Sequence, residues 1–341
     1  MDSIVEILRC TGCGAPVELR AQPADAAVSC RLLDRHLACS ACGTIYPITE
    51  DEIPIMWDRD IRSLITKVIE EEDQSDDFNT LSANYDIYED ISDKYYEYSR
   101  IDPRAKLKIK AAAERVLSRV EGEAMHLDFG CGPGQVIGWL KSPGLRQVGL
   151  DISLNNLRNA RKHTGCAVVC ANACNMPFAP GTFDLITESS ALHHIPDWRK
   201  AVSEAIRVCR SPGGVVIDAE PTREQMALSK LAIAVFEARF VVYKYLSYFK
   251  RNKYVFRNLR QAKLNAMAEI HHQPGTGFPI DELSAIFEKS GHDLEVILSP
   301  SPELEVRPDP NWKEVLLSVL SLRDPWGPEF GTFTAISNAR R

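Results

Sequence analysis

One ten-residue stretch constrains this chain more than any other. Met125-His126-Leu127-Asp128-Phe129 is a short, mostly apolar run with an acid near its end, and Gly130-Cys131-Gly132-Pro133-Gly134 follows with glycine at every second position. A helical pattern starts at Gln135, and a second apolar run, Val148-Gly149-Leu150, ends in Asp151. Strand, glycine turn, helix and a second strand closed by an acid is the layout of a nucleotide-handling α/β domain. The glycines let the backbone turn tightly and approach a ligand with no Cβ in the way. The helix just beyond presents unpaired N–H groups and a positive dipole end to that ligand. Asp151 is placed to accept hydrogen bonds from ribose hydroxyls. The dinucleotide fingerprint spaces its glycines G-x-G-x-x-G. Here the spacing is G-x-G-x-G, and Gln135 stands where the third fingerprint glycine would be. That departure disfavours NAD or FAD.

Asp128-x-Gly130-x-Gly132-x-Gly134 resembles the first motif of the class I S-adenosylmethionine (SAM)-dependent methyltransferases. Asn172-Ala173-Cys174-Asn175-Met176-Pro177-Phe178 resembles the adenine-binding turn after the third strand, and Phe183-Asp184-Leu185-Ile186-Thr187-Glu188 the fourth strand. Ala191-Leu192-His193-His194-Ile195 resembles the segment after that strand, and Ser211-Pro212-Gly213-Gly214 the turn before the fifth. The motifs occur in the family's order across residues 104–220. The resemblance implies that Gly130, Gly132 and the loop backbone hold the methionine part of SAM, with Asp128, Gly134 and Glu188 in the same site. It implies that Asp151 holds the ribose, Ile152 packs on the adenine, Asn172 and Ala173 read the adenine edge, and Met176 lies on its face. The family usually has Asp where Asn172 stands; asparagine keeps an acceptor oxygen and adds a donor. The competing reading is a Rossmann-like fold in which these residues make only turns and core.

Methyl transfer from a sulfonium is an in-line displacement, so the protein must hold the acceptor close and, where needed, take its proton. Candidates at the carboxyl ends of the strands are Glu188, His193, His194 and Glu220, with His271 and His272 further on. His193 is the favoured base or substrate contact, because an ordinary imidazole titrates near neutrality. The alternative is that the Leu-His-His-Ile segment only packs and positions. The fourth strand is not followed by Asn/Asp-Pro-Pro-Tyr, which disfavours methylation of an adenine amino group or a glutamine amide. Cys166, Cys170 and Cys174 straddle a predicted strand and its exit, where small buried thiols belong to core.

A second motif lies near the N-terminus. Cys10-Thr11-Gly12-Cys13-Gly14 and Cys39-Ser40-Ala41-Cys42-Gly43 are two C-x-x-C-G knuckles. Two such turns complete a closed Cys₄ site suited to structural Zn²⁺. A redox pair is the competing reading. Cys30 and His36 are spare, read as loop or core. Together with Tyr46-Pro47-Ile48 and Ile53-Pro54-Ile55-Met56, the knuckles resemble the small zinc-ribbon protein that activates several tRNA, rRNA and release-factor methyltransferases. Here the ribbon is fused in cis, and the resemblance implies that it stabilises the catalytic domain or shapes its substrate entrance.

Length and charge set the outer bounds. The chain has 341 residues and a formal net charge of −7, which argues against wholesale nucleic-acid binding. No basic-then-apolar leader and no long uncharged apolar run is seen, so a cytoplasmic protein without a spanning helix is expected. The expected domains are a zinc ribbon over 1–57, a helical connector over 58–103 carrying Tyr85, Tyr88, Tyr95, Tyr96 and Tyr98, and a methyltransferase domain over 104–341. Alternating helices and strands over 104–220 predict a parallel sheet with right-handed crossovers. A helix–strand–helix–strand ending predicts two further strands, one antiparallel, completing a seven-stranded Rossmann-like sheet. The block 222–275 reads as a helical lid insertion. Its long helix is expected to bury Leu228, Leu231, Val235, Val242, Tyr245 and Phe249, and a basic aromatic segment follows. That segment suits an anionic substrate or nucleic acid, a membrane surface, or a solvated helix face.

The leading expectation is a SAM-dependent methyltransferase acting on O, N or C of a small, natural-product-like or lipid-like acceptor. The alternatives are an RNA methyltransferase that uses the ribbon and basic segment, and a non-catalytic partner-binding protein. The sequence leaves the oligomeric state open.

Overall fold

The structure is a computed structural model that describes residues 2–21, 32–57, 103–246, 268–298, 312–324 and 332–340. Most of the connector 58–103, with its tyrosines, and the basic aromatic residues 247–267 lie outside the described residues, as does Cys30.

Two sheets organise the chain. Strands β1 (Val17–Ala21), β2 (Leu32–Cys39) and β3 (Ile45–Thr49) form a small antiparallel sheet. The large sheet contains β4 (Ala124–Phe129), β5 (Leu145–Asp151), β6 (Ala167–Cys170), β7 (Phe183–Ser189), β8 (Cys209–Pro221), β9 (His292–Leu298) and β10 (Thr332–Ala339). Its order is β6-β5-β4-β7-β8-β10-β9. The first five strands in that order are parallel, and β10 runs antiparallel to both β8 and β9. This is the expected seven-stranded α/β sheet with one reversed strand.

The helices are α1 (Pro103–Leu117), α2 (Gln135–Leu140), α3 (Leu154–Thr164), α4 (Trp198–Val208), α5 (Lys230–Leu246), α6 (Ile280–Lys289) and α7 (Trp312–Leu320). They cover both faces of the sheet. β7 is therefore buried at six consecutive positions, Phe183 to Glu188, as a central parallel strand should be. α3 has clear ends: the Ser153 hydroxyl accepts from Asn156 N, and Gly165 closes the helix at φ 73°. Strand β8 is longer than the expected 214–218, because its first residue pairs with Phe183 before the register shifts.

Of the expected stripe, Leu228 is half-buried just before α5, and the side chains of Val242, Tyr245 and Phe249 lie outside the described residues. Leu231 and Val235 are exposed, while Ala232 is buried and Ile233 and Phe236 are half-buried. The inward face is rotated toward the smaller residue because α5 packs against α7.

The ribbon joins the large sheet rather than hanging beside it. Ile55 forms a parallel bridge to Cys170, flanked by Cys170 N donating to the Pro54 carbonyl (2.9 Å) and Met56 N donating to the Cys170 carbonyl (2.7 Å). Leu8 bridges Phe178, and Arg9 N donates to the Pro177 carbonyl. Leu8, Ile53 and Met56 are fully buried in cores that also contain β4, β5 and β6 side chains. Among the described residues, no helix is long and apolar enough to cross a membrane.

Candidate functional site

The carboxyl ends of β4, β5 and β7 converge on the glycine loop. Gly130, Gly132 and Gly134 all have positive φ, at 65°, 51° and 89°, so each needs glycine for its backbone alone. Their surroundings assign them different tasks. A methyl on Gly130 would overlap the Cβ of Ala191, and one on Gly134 would press on Ala160 and Thr164 of α3 at 3.0–3.1 Å. These two glycines permit close packing. A methyl on Gly132 would meet nothing nearer than Gln135 Oε1 at 3.8 Å. Gly132 alone of the three leaves open backbone surface that a Cβ would fill.

Asp151 ties the loop to the next crossover. Its Oδ2 accepts from Gly132 N (2.9 Å) and its Oδ1 from Ser153 N (2.8 Å). The Asn156 side chain and the Ile152 N–H also approach this carboxylate, so Asp151 is held by several donors. Burial pushes the Asp151 carboxyl up, and the backbone N–H groups work against that rise.

Asp128 sits at the end of a polar relay that crosses the sheet. Gln147 Nε2 donates to His126 Nδ1 (3.1 Å), which fixes the proton of His126 on Nε2. That N–H then donates to Thr187 Oγ1 (2.7 Å), and the Thr187 hydroxyl donates to Asp128 Oδ1 (2.6 Å). Burial holds His126 down at about 3, so the ring is neutral. Burial, with the neighbouring charges of Glu188 and Asp151, pushes Asp128 up to about 8. Thr187 is a site residue that sequence reasoning missed. The available signal was a hydroxyl in an otherwise apolar strand, directly opposite Asp128 in the register.

Glu188 and Glu220 end adjacent strands and hold the segment that follows β7. Glu188 Oε1 accepts from Ala191 N (2.6 Å) and Leu192 N (2.9 Å). Glu220 accepts from Leu192 N (2.9 Å), His193 N (3.1 Å) and His193 Nδ1 (3.0 Å). Glu188 Oε2 is buried without a hydrogen-bond partner. Burial and the charge of Glu220 push Glu188 well above the usual carboxylate range. Lys108 of α1 is paired with the buried Asp218 (2.7 Å), which also accepts from Thr334.

The other expected residues fall as follows. Ile152 is half-buried beside Asp151. Asn172 caps the turn 173–175 through Oδ1, which accepts from Cys174 N (2.9 Å), and Ala173 is buried within that turn. Met176 is buried in the main core, its N–H donating to Glu204 and its carbonyl accepting from Arg207. His194 Nδ1 donates to the Ala268 carbonyl (2.9 Å), and burial holds its ring well below the usual range. Of the three neighbouring thiols, Cys170 is buried and Cys166 and Cys174 are half-buried.

An absent cofactor can be tested against this geometry. SAM carries a ribose diol and two positive centres, a sulfonium and an ammonium. The site offers the Asp151 carboxylate, an open backbone at Gly132, and the buried carboxyls of Asp128 and Glu188, each raised by a neighbouring acid. These features fit that group.

The thiols of Cys10, Cys13, Cys39 and Cys42 lie within 4.8 Å of one another, with sulfur–sulfur distances of 3.4 Å (Cys13–Cys39) and 3.6 Å (Cys10–Cys42, Cys13–Cys42). Four sulfurs at about 2.3 Å from a tetrahedral zinc stand about 3.8 Å apart, so the donor set fits the metal. Tyr46 braces the first knuckle: its hydroxyl accepts from Thr11 N (2.9 Å) and touches Cys10 Sγ (3.1 Å).

Residues 127–217 match a family model described as a methyltransferase domain. The demethylmenaquinone methyltransferase of Corynebacterium urealyticum is 38% identical over 94 residues, 28% of this chain and 40% of that protein. The chain thus spans about two-fifths of that relative's length. The demethylmenaquinone methyltransferase of Bacillus cereus is 26% identical over 217 residues, 61% of this chain and 86% of that protein. Among solved structures, a chain from the complex between the Haloferax volcanii Trm112 methyltransferase activator and its methyltransferase aligns at 15% identity and a TM-score of 0.48, covering 74% of this chain and 98% of that one.

Proposed function

We propose that this chain, whose residues 127–217 form a class I methyltransferase domain, transfers the methyl group of SAM to oxygen, nitrogen or carbon of a small acceptor. The observation that carries this reading is the acid cluster at the glycine loop: Asp128, Asp151 and Glu188 are all buried around a loop whose Gly132 leaves room beside its backbone. Glu188 and Asp151 push Asp128 up, and Glu220 pushes Glu188 up, a crowding that a cationic ligand relieves.

In this reading Asp151 receives the ribose hydroxyls, Gly132 lets the backbone approach, and Glu188 faces the positive end. Ile152, Asn172 and Ala173 flank the adenine position. When bound, SAM supplies a methyl carbon made electrophilic by its sulfonium. The chain supplies orientation and a proton acceptor, for which His193 is the candidate. The similarity to demethylmenaquinone methyltransferases supports a lipid-like acceptor of quinone type. The first ribbon knuckle is tied to the turn after β6, its Thr11 carbonyl accepting from Asn175 Nδ2 (3.1 Å), which supports a structural ribbon over one that grips RNA.

Calorimetric titration with SAM tests the proposal. Saturable binding is expected, with Asp151→Ala weakening it about 10–100-fold, the worth of a hydrogen bond to a charged group. No saturable binding by the unmodified chain would refute it.

A further inference from the structure

Four imidazoles gather beyond the ends of β7 and β8. His193 and His194 follow β7, and His271 and His272 form a short turn packed against them. The His193 ring lies 4.1 Å from that of His194 and 5.5 Å from that of His272. Among them His193 faces a carboxylate: its Nδ1 stands 3.0 Å from Glu220 Oε2 and 3.3 Å from Oε1. His194 instead meets a backbone carbonyl.

The contacts on Glu220 determine where the proton of His193 resides. Its Oε1 accepts from Leu192 N and its Oε2 from His193 N. Burial pushes Glu220 up to about 8; when ionised it meets Nδ1 with both oxygens already accepting backbone N–H bonds, so the hydrogen between them lies on Nδ1. A neutral ring with its hydrogen on Nδ1 has a lone pair on Nε2. The ring is also fixed in place. Glu188 and Glu220 together take four backbone N–H bonds from residues 191–193. Ala191, in that same segment, lies against Gly130 of the glycine loop.

We propose that Glu220 is a positioning residue for methyl transfer: it holds His193 as the Nδ1-protonated tautomer, so that Nε2 takes the proton from a hydroxyl or similarly weak acid on the acceptor. The inference rests on the methyltransferase reading above. In the step it serves, the acceptor's X–H proton passes to Nε2. The freed electron pair on X forms the bond to the methyl carbon, and the carbon–sulfur pair leaves with sulfur. The Glu220 carboxylate then faces an imidazolium through Nδ1–H. Burial and the neighbouring His271 hold the free ring down at about 4, which keeps Nε2 unprotonated through the neutral range. This arrangement suits acceptors that enter protonated, such as phenols and hydroquinones, and has no task for an acceptor already ionised in water.

Nitrogen-15 NMR on the full chain, labelled at histidine, decides the matter. His193, assigned through His193→Gln, is expected at pH 9, above the raised Glu220, as a single Nδ1–H tautomer with an unprotonated Nε2. Glu220→Gln keeps the volume but replaces one acceptor oxygen with a donor, and should shift at least half of the ring to the Nε2–H form. An Nε2–H tautomer in the unmodified chain overturns the proposal, and this readout holds even if Glu220→Gln does not fold. An unchanged tautomer in a folded Glu220→Gln also overturns it. Failure of the unmodified chain to bind SAM would instead remove the methyltransferase reading and leave the tautomer result standing on its own.

Discussion

Replacing Gly130 and Gly132 separately by alanine should produce two different kinds of damage. Both residues have left-handed backbone angles, so either alanine costs about 1–2 kcal/mol in conformation. The remaining cost depends on what the new methyl meets. At position 130 it meets Ala191, which cannot move away freely because its N–H is fixed on Glu188 at 2.6 Å. Relieving that overlap by local shifts adds about 1–3 kcal/mol. Gly130→Ala should therefore lose about 2–5 kcal/mol of stability, and Gly132→Ala about 1–2 kcal/mol. At about 2–4 °C per kcal/mol for a domain of this size, the expected drops in Tm are about 4–20 °C and about 2–8 °C. Binding should show the larger contrast at the other residue, because the open face of Gly132 is the one a ligand backbone approach would use. A loss of about tenfold or more in SAM affinity, about 1.4 kcal/mol, is expected for Gly132→Ala. Thermal unfolding paired with calorimetry measures both quantities. The reasoning fails if Gly132→Ala binds SAM as tightly as the unmodified chain, or if Gly130→Ala melts no lower than Gly132→Ala.

Two further outcomes follow from burial and from the thiol cluster. Asp128 is held up at about 8 against an ordinary 3.8, so the folded state binds the proton more tightly and stability falls as pH rises between those values. His126 and His193, held down at about 3 and about 4, act in the opposite sense but only below about 6.5. Urea midpoints should therefore be lower at pH 8 than at pH 6.5, and Asp128→Asn should retain less of that fall; an identical slope in both proteins would contradict the assignment. A metal held by Cys10, Cys13, Cys39 and Cys42 should shield these thiols from a thiol reagent until a strong chelator is added, with Tm falling on chelation. Equal reactivity before and after chelation would argue against bound metal.

The large sheet was legible because its signals are local. Apolar runs such as Leu185-Ile186 end in acids, the turns carry glycine, and the final helix–strand–helix–strand pattern marks the reversed strand. The knuckle pairing was legible from spacing alone. What escaped the sequence was cross-strand chemistry. Thr187 lies 59 residues from Asp128 in the chain yet bonds it at 2.6 Å, and no local pattern announces such a pair. The inward face of α5 was misjudged because Leu231 and Val235 have helical spacing whichever side is buried. Only its packing against α7 selects Ala232, Ile233 and Phe236. The acids were legible as strand-end residues, but their mutual repulsion depends on sheet order, which places β7 beside both β4 and β8.

Sheet order also explains how a small ribbon bears on the turn after β6 at all. β6 is the edge of the large sheet, and the turn 173–175 leaves directly from it. An exposed edge strand would leave backbone groups unpaired. Here Pro54 and Met56 complete the pairing of Cys170, and Leu8 and Arg9 do the same for Phe178 and Pro177. The turn that carries Asn172 and Ala173 is thus clamped between two ribbon segments, and Asn175 within it donates to Thr11 of the first knuckle. Truncating Leu8, which is fully buried, to alanine should accordingly cost about 2–5 kcal/mol. The loss should appear in the main unfolding transition of the large sheet. If Leu8→Ala instead splits off a separate early transition and leaves the main one unmoved, the ribbon is an independent unit and the clamp has no energetic content.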